Sequence, residues 1–143
     1  MKYGGNNYYK QKLRVARIQE HITNQRKDWI HKLSTQFANE YDYICVEDIN
    51  MQNMAQSLKL GKSTNDNGFG IFRTILAYKL ADRGKKLIKI DKWFPSSKMC
   101  RFCGTINKEL ALSDRVWTCE CGKTLNRDEN AAINIMNAGL SMV

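Results

Sequence analysis

Four cysteines stand in two close pairs, Cys100-x2-Cys103 and Cys119-x-Cys121, with fifteen residues between the pairs. A Cys-x-x-Cys turn lets two thiolates converge on one cation while backbone N–H groups point at the sulfurs. Gly104 and Gly122 follow the second cysteine of each pair, where such a knuckle favours positive φ. Two knuckles brought together predict one closed tetrahedral site, and zinc is the ion this spacing implies. Two disulfides or a redox pair are the alternatives. A bridge across the single residue between Cys119 and Cys121 is hard to close without strain. The residues after Met1 lack the apolar stretch of a secretory leader, so a reducing cytosol is the expected compartment. Four thiolates leave no open coordination position, so the site is a scaffold or a nucleic-acid contact and no reaction centre. Cys45 stands alone between Ile44 and Val46 and is expected to pack as a small hydrophobe.

Two acids have a chemically suggestive placement. Glu47 ends an apolar run, Tyr43–Val46, and Asp128 opens a helical pattern after the cysteine segment. In open α/β sheets, ligand groups gather at the carboxyl ends of strands. Two-metal phosphodiester cleavage needs carboxylates there, and hard oxygen ligands suit Mg2+. The residues alone leave plainer roles open, and pattern favours them: Asp128 as a helix cap and Glu47 as a solvated strand end.

The elements that must hold these groups follow from periodicity. Val15, Ile18, Ile22, Trp29, Leu33 and Phe37 predict one apolar stripe on a helix over 8–39. Tyr43-Ile44-Cys45-Val46-Glu47 predicts a buried strand, parallel to its neighbour. Residues 51–67 are polar and predict a mobile loop. Residues 69–83 predict a helix with Phe72, Ile75, Leu76 and Leu80 on one face and Gly84 as its stop. Residues 86–90 predict a second strand. Residues 128–138 predict a last helix, with Ala131, Ala132, Ile135 and Met136 toward a core and Gly139 as its stop. Between the two strands and that last helix, Val116 and Trp117 promise little packing, so zinc is expected to supply most of the folding free energy of the cysteine segment. Helix, strand, helix, strand implies an α/β sheet with crossovers.

The chain has 143 residues, about one domain. Twenty-three Lys and Arg against fourteen Asp and Glu give a net charge of +9, which favours a polyanionic partner, nucleic acid first. Arg14, Arg17 and Lys27 on the long helix are candidate phosphate contacts; a merely solvated basic face is the alternative. No run approaches 18 apolar residues, which excludes a transmembrane helix.

The motifs also carry a resemblance. Val46-Glu47-Asp48-Ile49-Asn50 resembles the second motif of the RuvC-like nuclease domain in the OrfB/TnpB proteins of bacterial insertion sequences. Residues 95–104 (PSSKMCRFCG) resemble their first knuckle and 112–122 (LSDRVWTCECG) their second. Residues 126–135 (NRDENAAINI) are similar to the third nuclease motif.

This resemblance implies an incomplete RNase H-like (RuvC-like) α/β domain over 1–95 and 125–143, interrupted by a four-cysteine zinc ribbon over 96–124. It implies an RNA-guided, Mg- or Mn-dependent DNA endonuclease, historically called a transposase, acting in transposition and DNA recombination. By position Glu47 and Asp128 match two members of an Asp-Glu-Asp triad. Asn126 stands where many members carry another Asp outside that triad. Nothing in residues 1–42 resembles a strand ending in the first catalytic Asp. The chain is therefore expected to be the C-terminal part of such a protein, inactive alone, with DNA, guide RNA and the missing N-terminal part as partners. A bacterial cytoplasm, at the nucleoid, is the implied location. A non-catalytic zinc-ribbon nucleic-acid binder or regulator is the competing expectation, and a decayed gene a third.

Overall fold

The computed structural model describes residues 3–49, 68–111 and 113–143. The loop expected over 51–67 lies outside the described residues. Helix α1 (Asn6–Glu40) leads into strand β1 (Tyr43–Glu47); helix α2 (Phe69–Ala81) leads into strand β2 (Lys86–Ile90). A short hairpin, β3 (Val116–Thr118) and β4 (Thr124–Asn126), runs directly into helix α3 (Arg127–Leu140). β1 and β2 pair in parallel, with Tyr43 opposite Lys86 and Glu47 opposite Ile90. The crossover order expected from the sequence is the one observed.

Helices α1 and α2 cover one face of this pair. Ala38, Leu76 and Leu80 form the centre of that core, with Phe37, Ile44, Phe72 and Leu87 packed around it. Lys79 fastens the two helices, donating from Nζ to the His31 carbonyl (2.6 Å) and to the hydroxyls of Thr35 (2.7 Å) and Ser34 (3.0 Å). Desolvation, with Arg83 adding repulsion, lowers the pKa of this ammonium. At the end of α2 the Lys85 N–H reaches the Leu80 carbonyl and the Gly84 N–H reaches Ala81. That is a Schellman closure with Gly84 in the left-handed position, the stop expected there.

Three expectations need correction. The stripe on α1 is not the buried face: Val15, Ile18, Ile22 and Trp29 are exposed, and Ile30, Ser34 and Ala38 are buried. At 100° per residue the two faces differ by about a third of a turn. Small Ser34 and Ala38 let α2 approach closely, which bulky side chains at those positions would prevent. The strand β1 is half-buried, since its outer edge has no neighbour among the described residues. Finally, α3 runs through Gly139 to Leu140 and buries Asn130, Asn134 and Gly139, whereas Ala132 and Met136 face solvent.

Gly139 is a packing residue. A Cβ there would lie 2.3 Å from Cys45 Sγ and 3.0 Å from its Cβ. Gly139→Ala should therefore destabilise the fold by about 1–3 kcal/mol through overpacking, outweighing the gain of up to about 1 kcal/mol from helix propensity. Adding Cys45→Ala should recover most of that loss in urea titrations. No recovery would mean that Cys45 is not what α3 presses against.

Candidate functional site

The cysteine segment forms its own small unit. The antiparallel pairing of β3 and β4, Trp117 opposite Leu125, carries the second knuckle at its tip. A single bridge between Met99 and Ile106 flanks the first knuckle. Gly104 (φ 77°) and Gly122 (φ 80°) take the left-handed backbone expected at both. Their N–H groups reach the carbonyls of Cys100 and Cys119. The unit has more core than the sequence suggested: Trp117 is buried with Leu110, Leu125, Cys100 and Cys119, although Val116 is exposed.

The sulfurs of Cys100, Cys103, Cys119 and Cys121 all lie within 4.8 Å of one another. Cys100 and Cys121 are 3.8 Å apart and Cys103 and Cys119 3.5 Å, each contact crossing between knuckles. All four are free thiols. A tetrahedron with metal–sulfur bonds of about 2.3 Å has edges of about 3.8 Å, so this donor set fits zinc. The thiols differ as acids. The Thr105 hydroxyl, 3.3 Å from Cys103 Sγ, leads the interactions that pull Cys103 down to about 6. A bond from the Cys121 N–H lowers Cys119, but desolvation and the crowding thiols prevail and push it up to about 12. Cys45 lies apart from this cluster, half-buried against α3 with its pKa raised by burial.

Glu47 sits half-buried at the carboxyl end of β1 and accepts a short hydrogen bond at Oε1 from the Ser96 hydroxyl. Arg73 donates to the Glu47 carbonyl (3.2 Å), and Arg73 and Lys89 flank the neighbouring Asp48. Ser96 is itself held. Asn134 Nδ2 donates to the Ser96 carbonyl (2.8 Å) and to the Met99 carbonyl (2.6 Å), and Asn130 Nδ2 donates to Met99 (2.7 Å). Asn130 Oδ1 accepts from the Arg101 N–H (3.0 Å), and Arg101 pairs with Glu129 at 2.7 Å. Two buried asparagines thus clamp the segment between Glu47 and the first knuckle to α3. Sequence reasoning missed Ser96, Asn130 and Asn134. The available signal was two asparagines four residues apart, poor helix formers that must be held for their side chains.

Asp128 lies in the first turn of α3 but does not cap it. Asn126 caps it, accepting from the N–H groups of Asp128 (3.0 Å) and Glu129 (3.2 Å). The Asp128 carboxylate is exposed and paired with Arg115 (3.1 Å) and Arg127 (3.2 Å). Among the described residues, the cysteines are the one cluster of three or more metal-binding side chains. Glu47 and Asp128 thus sit on separate polar partners, linked through Ser96 and α3.

Two family models match, "Probable transposase" over residues 1–58 and "Cas12f1-like, TNB domain" over residues 69–135. A Streptomyces pristinaespiralis protein named "Putative RNA-guided DNA endonuclease" is 43% identical over 138 residues, 96% of this chain and 34% of that protein. The chain belongs to the TnpB-type proteins. A similarly named relative from Escherichia coli strain K12 is 33% identical over 150 residues, 94% of this TnpB-type chain and 37% of the relative. The chain thus spans about a third of the length of these curated relatives. A solved structure, the Cas12f1–sgRNA–target DNA complex, shares the fold with TM-score 0.54 and 21% identity, over 91% of this chain and 39% of that one.

Arg14, Arg17 and Lys27 are exposed on α1. If they contact phosphates, duplex affinity should fall with salt at a slope of about −0.9 per phosphate neutralised. Reversing all three charges should make that slope shallower in binding titrations. An unchanged slope would assign the contacts elsewhere. Among the described residues no helix is long and apolar enough to cross a membrane.

Proposed function

We propose that this chain is the C-terminal part of an RNA-guided DNA endonuclease of the TnpB type. Its nuclease portion comprises residues 1–95 and 125–143 as an incomplete RNase H-like domain, with the zinc ribbon over 96–124. Cys100, Cys103, Cys119 and Cys121 hold zinc, and Glu47 and Asp128 are two ligands for Mg2+ or Mn2+. The observation that carries the reading is the support of Glu47: a carboxylate at the end of a parallel strand, oriented by a buried serine that α3 clamps. A divalent ion there would activate water and stabilise the leaving oxygen of a phosphodiester. The chain's own residues orient the carboxylates and offset surrounding charge. A third carboxylate from the rest of the protein completes the site, so this chain alone binds the ion weakly and does not cut. DNA and guide RNA are the partners, in the bacterial cytoplasm at the nucleoid.

The ion pairs of Asp128 with Arg115 and Arg127 favour a second reading, a non-catalytic zinc-ribbon nucleic-acid binder. Mn2+ titration of the zinc-loaded chain separates the two. The nuclease reading expects paramagnetic broadening of amide signals beside Glu47 and beside Asp128 together. Broadening at only one of them would leave the binder.

A further inference from the structure

Trp93 is 80% exposed, the largest apolar side chain so fully in solvent, and neither the core nor the carboxylate network uses it. Its turn is fixed. Asp91 Oδ1 accepts from the Trp93 N–H (2.7 Å), and the Asp91 carbonyl accepts from the Phe94 N–H (3.0 Å). Lys92 Nζ stands 5.1 Å from the Trp93 ring centroid, a cation–π contact. The location follows from the register: Ile90 is opposite Glu47, so Trp93 lies just past the carboxyl end of the sheet. Three residues on is Ser96, whose hydroxyl donates to Glu47, at most about 11 Å along the chain.

A solvated indole on a hydrogen-bonded turn, with a cation beside it, is the element on which unpaired bases stack in single-strand binding sites. We propose that Trp93 is a stacking platform for an unpaired nucleobase, with Lys92 beside the adjoining phosphate, holding a single strand at the carboxyl end of the β1–β2 sheet. An apolar protein partner is the poorer fit. Lys92 stands over the ring and Asp91 is on the same turn, whereas such a partner would find a broader apolar surface on α1. The net charge of +9 favours a polyanion. A duplex is a poor fit as well, because its base faces are already stacked. The purpose of the platform, presenting a strand to Glu47, rests on the nuclease reading; the stacking itself does not.

The test is made on the zinc-loaded chain carrying Trp29→Phe, which removes the other exposed indole and leaves buried Trp117 as background. Fluorescence is followed during titration with single-stranded DNA, single-stranded RNA, a duplex of the same length, and a strand with abasic sites. Single strands should quench Trp93; the abasic strand and the duplex should not. Trp93→Ala should weaken single-strand binding roughly 5- to 150-fold with the salt slope unchanged. Trp93→Tyr should keep most of the affinity, and Lys92→Ala should make the salt slope shallower. Quenching by DNA alone, RNA alone or both supports the platform and names its strand. Equal binding by Trp93→Ala and the parent, or equal quenching by the abasic strand, overturns it. No cleavage is read, so a failure here leaves the nuclease reading standing, and the converse also holds.

Discussion

Replacing Cys103 with Ser is expected to abolish stoichiometric zinc and unfold the ribbon. The parent should carry about one zinc per chain. Binding free energies of structural zinc sites are about 10–16 kcal/mol in small zinc peptides, far beyond what Trp117, Leu110 and Leu125 supply by packing. The effect should be confined. The core of Ala38, Leu76 and Leu80 lies in the α1–α2 layer, so most far-UV helical signal should survive while the near-UV signal of Trp117 collapses. Cys45→Ser should leave zinc content unchanged, since Cys45 lies against α3. Affinity should also fall on acidification: ligation needs thiolates, and in the metal-free cluster Cys103 is protonated below about 6 and Cys119 up to about 12. Full zinc in Cys103→Ser, or its loss in Cys45→Ser, would contradict the ligand set.

What the sequence disclosed depended on how local the physics was. Cysteine spacing, the glycines of the knuckles and the stop at Gly84 are set within a few residues, and all three have the expected backbone. The parallel pairing of Tyr43–Glu47 with Lys86–Ile90 followed from two apolar runs separated by a helix. The buried face of α1 was hidden because it is chosen by α2: small Ser34 and Ala38 permit a close approach that no hydrophobicity pattern reports. Gly139 reads as a helix stop until Cys45, ninety-four positions away, is seen against it. The burial of Asn130 and Asn134 carries no local hydrophobic signal, since the carbonyls of Ser96 and Met99 that they satisfy belong to an irregular segment. The linkage from Glu47 through Ser96 to α3 was illegible for the same reason. Asn126, a departure from the motif in sequence terms, is the cap of α3.

Glu47→Gln and Asp128→Asn are the substitutions that should matter most for activity. Gln at 47 keeps an acceptor for Ser96 and removes the charge. Asn at 128 keeps the backbone N–H that Asn126 caps. Both should therefore fold and retain zinc. The most direct measurement of the proposed function is cleavage of a target duplex by this chain joined to the proposed N-terminal part and assembled with guide RNA. Cutting should require Mg2+ or Mn2+ and fall by about 100-fold or more in either variant, the loss expected when a metal worth several kcal/mol to the transition state is no longer held. Undiminished cutting by both variants, with zinc and melting unchanged, would contradict the account and leave Glu47 as a strand end and Asp128 as an arginine partner.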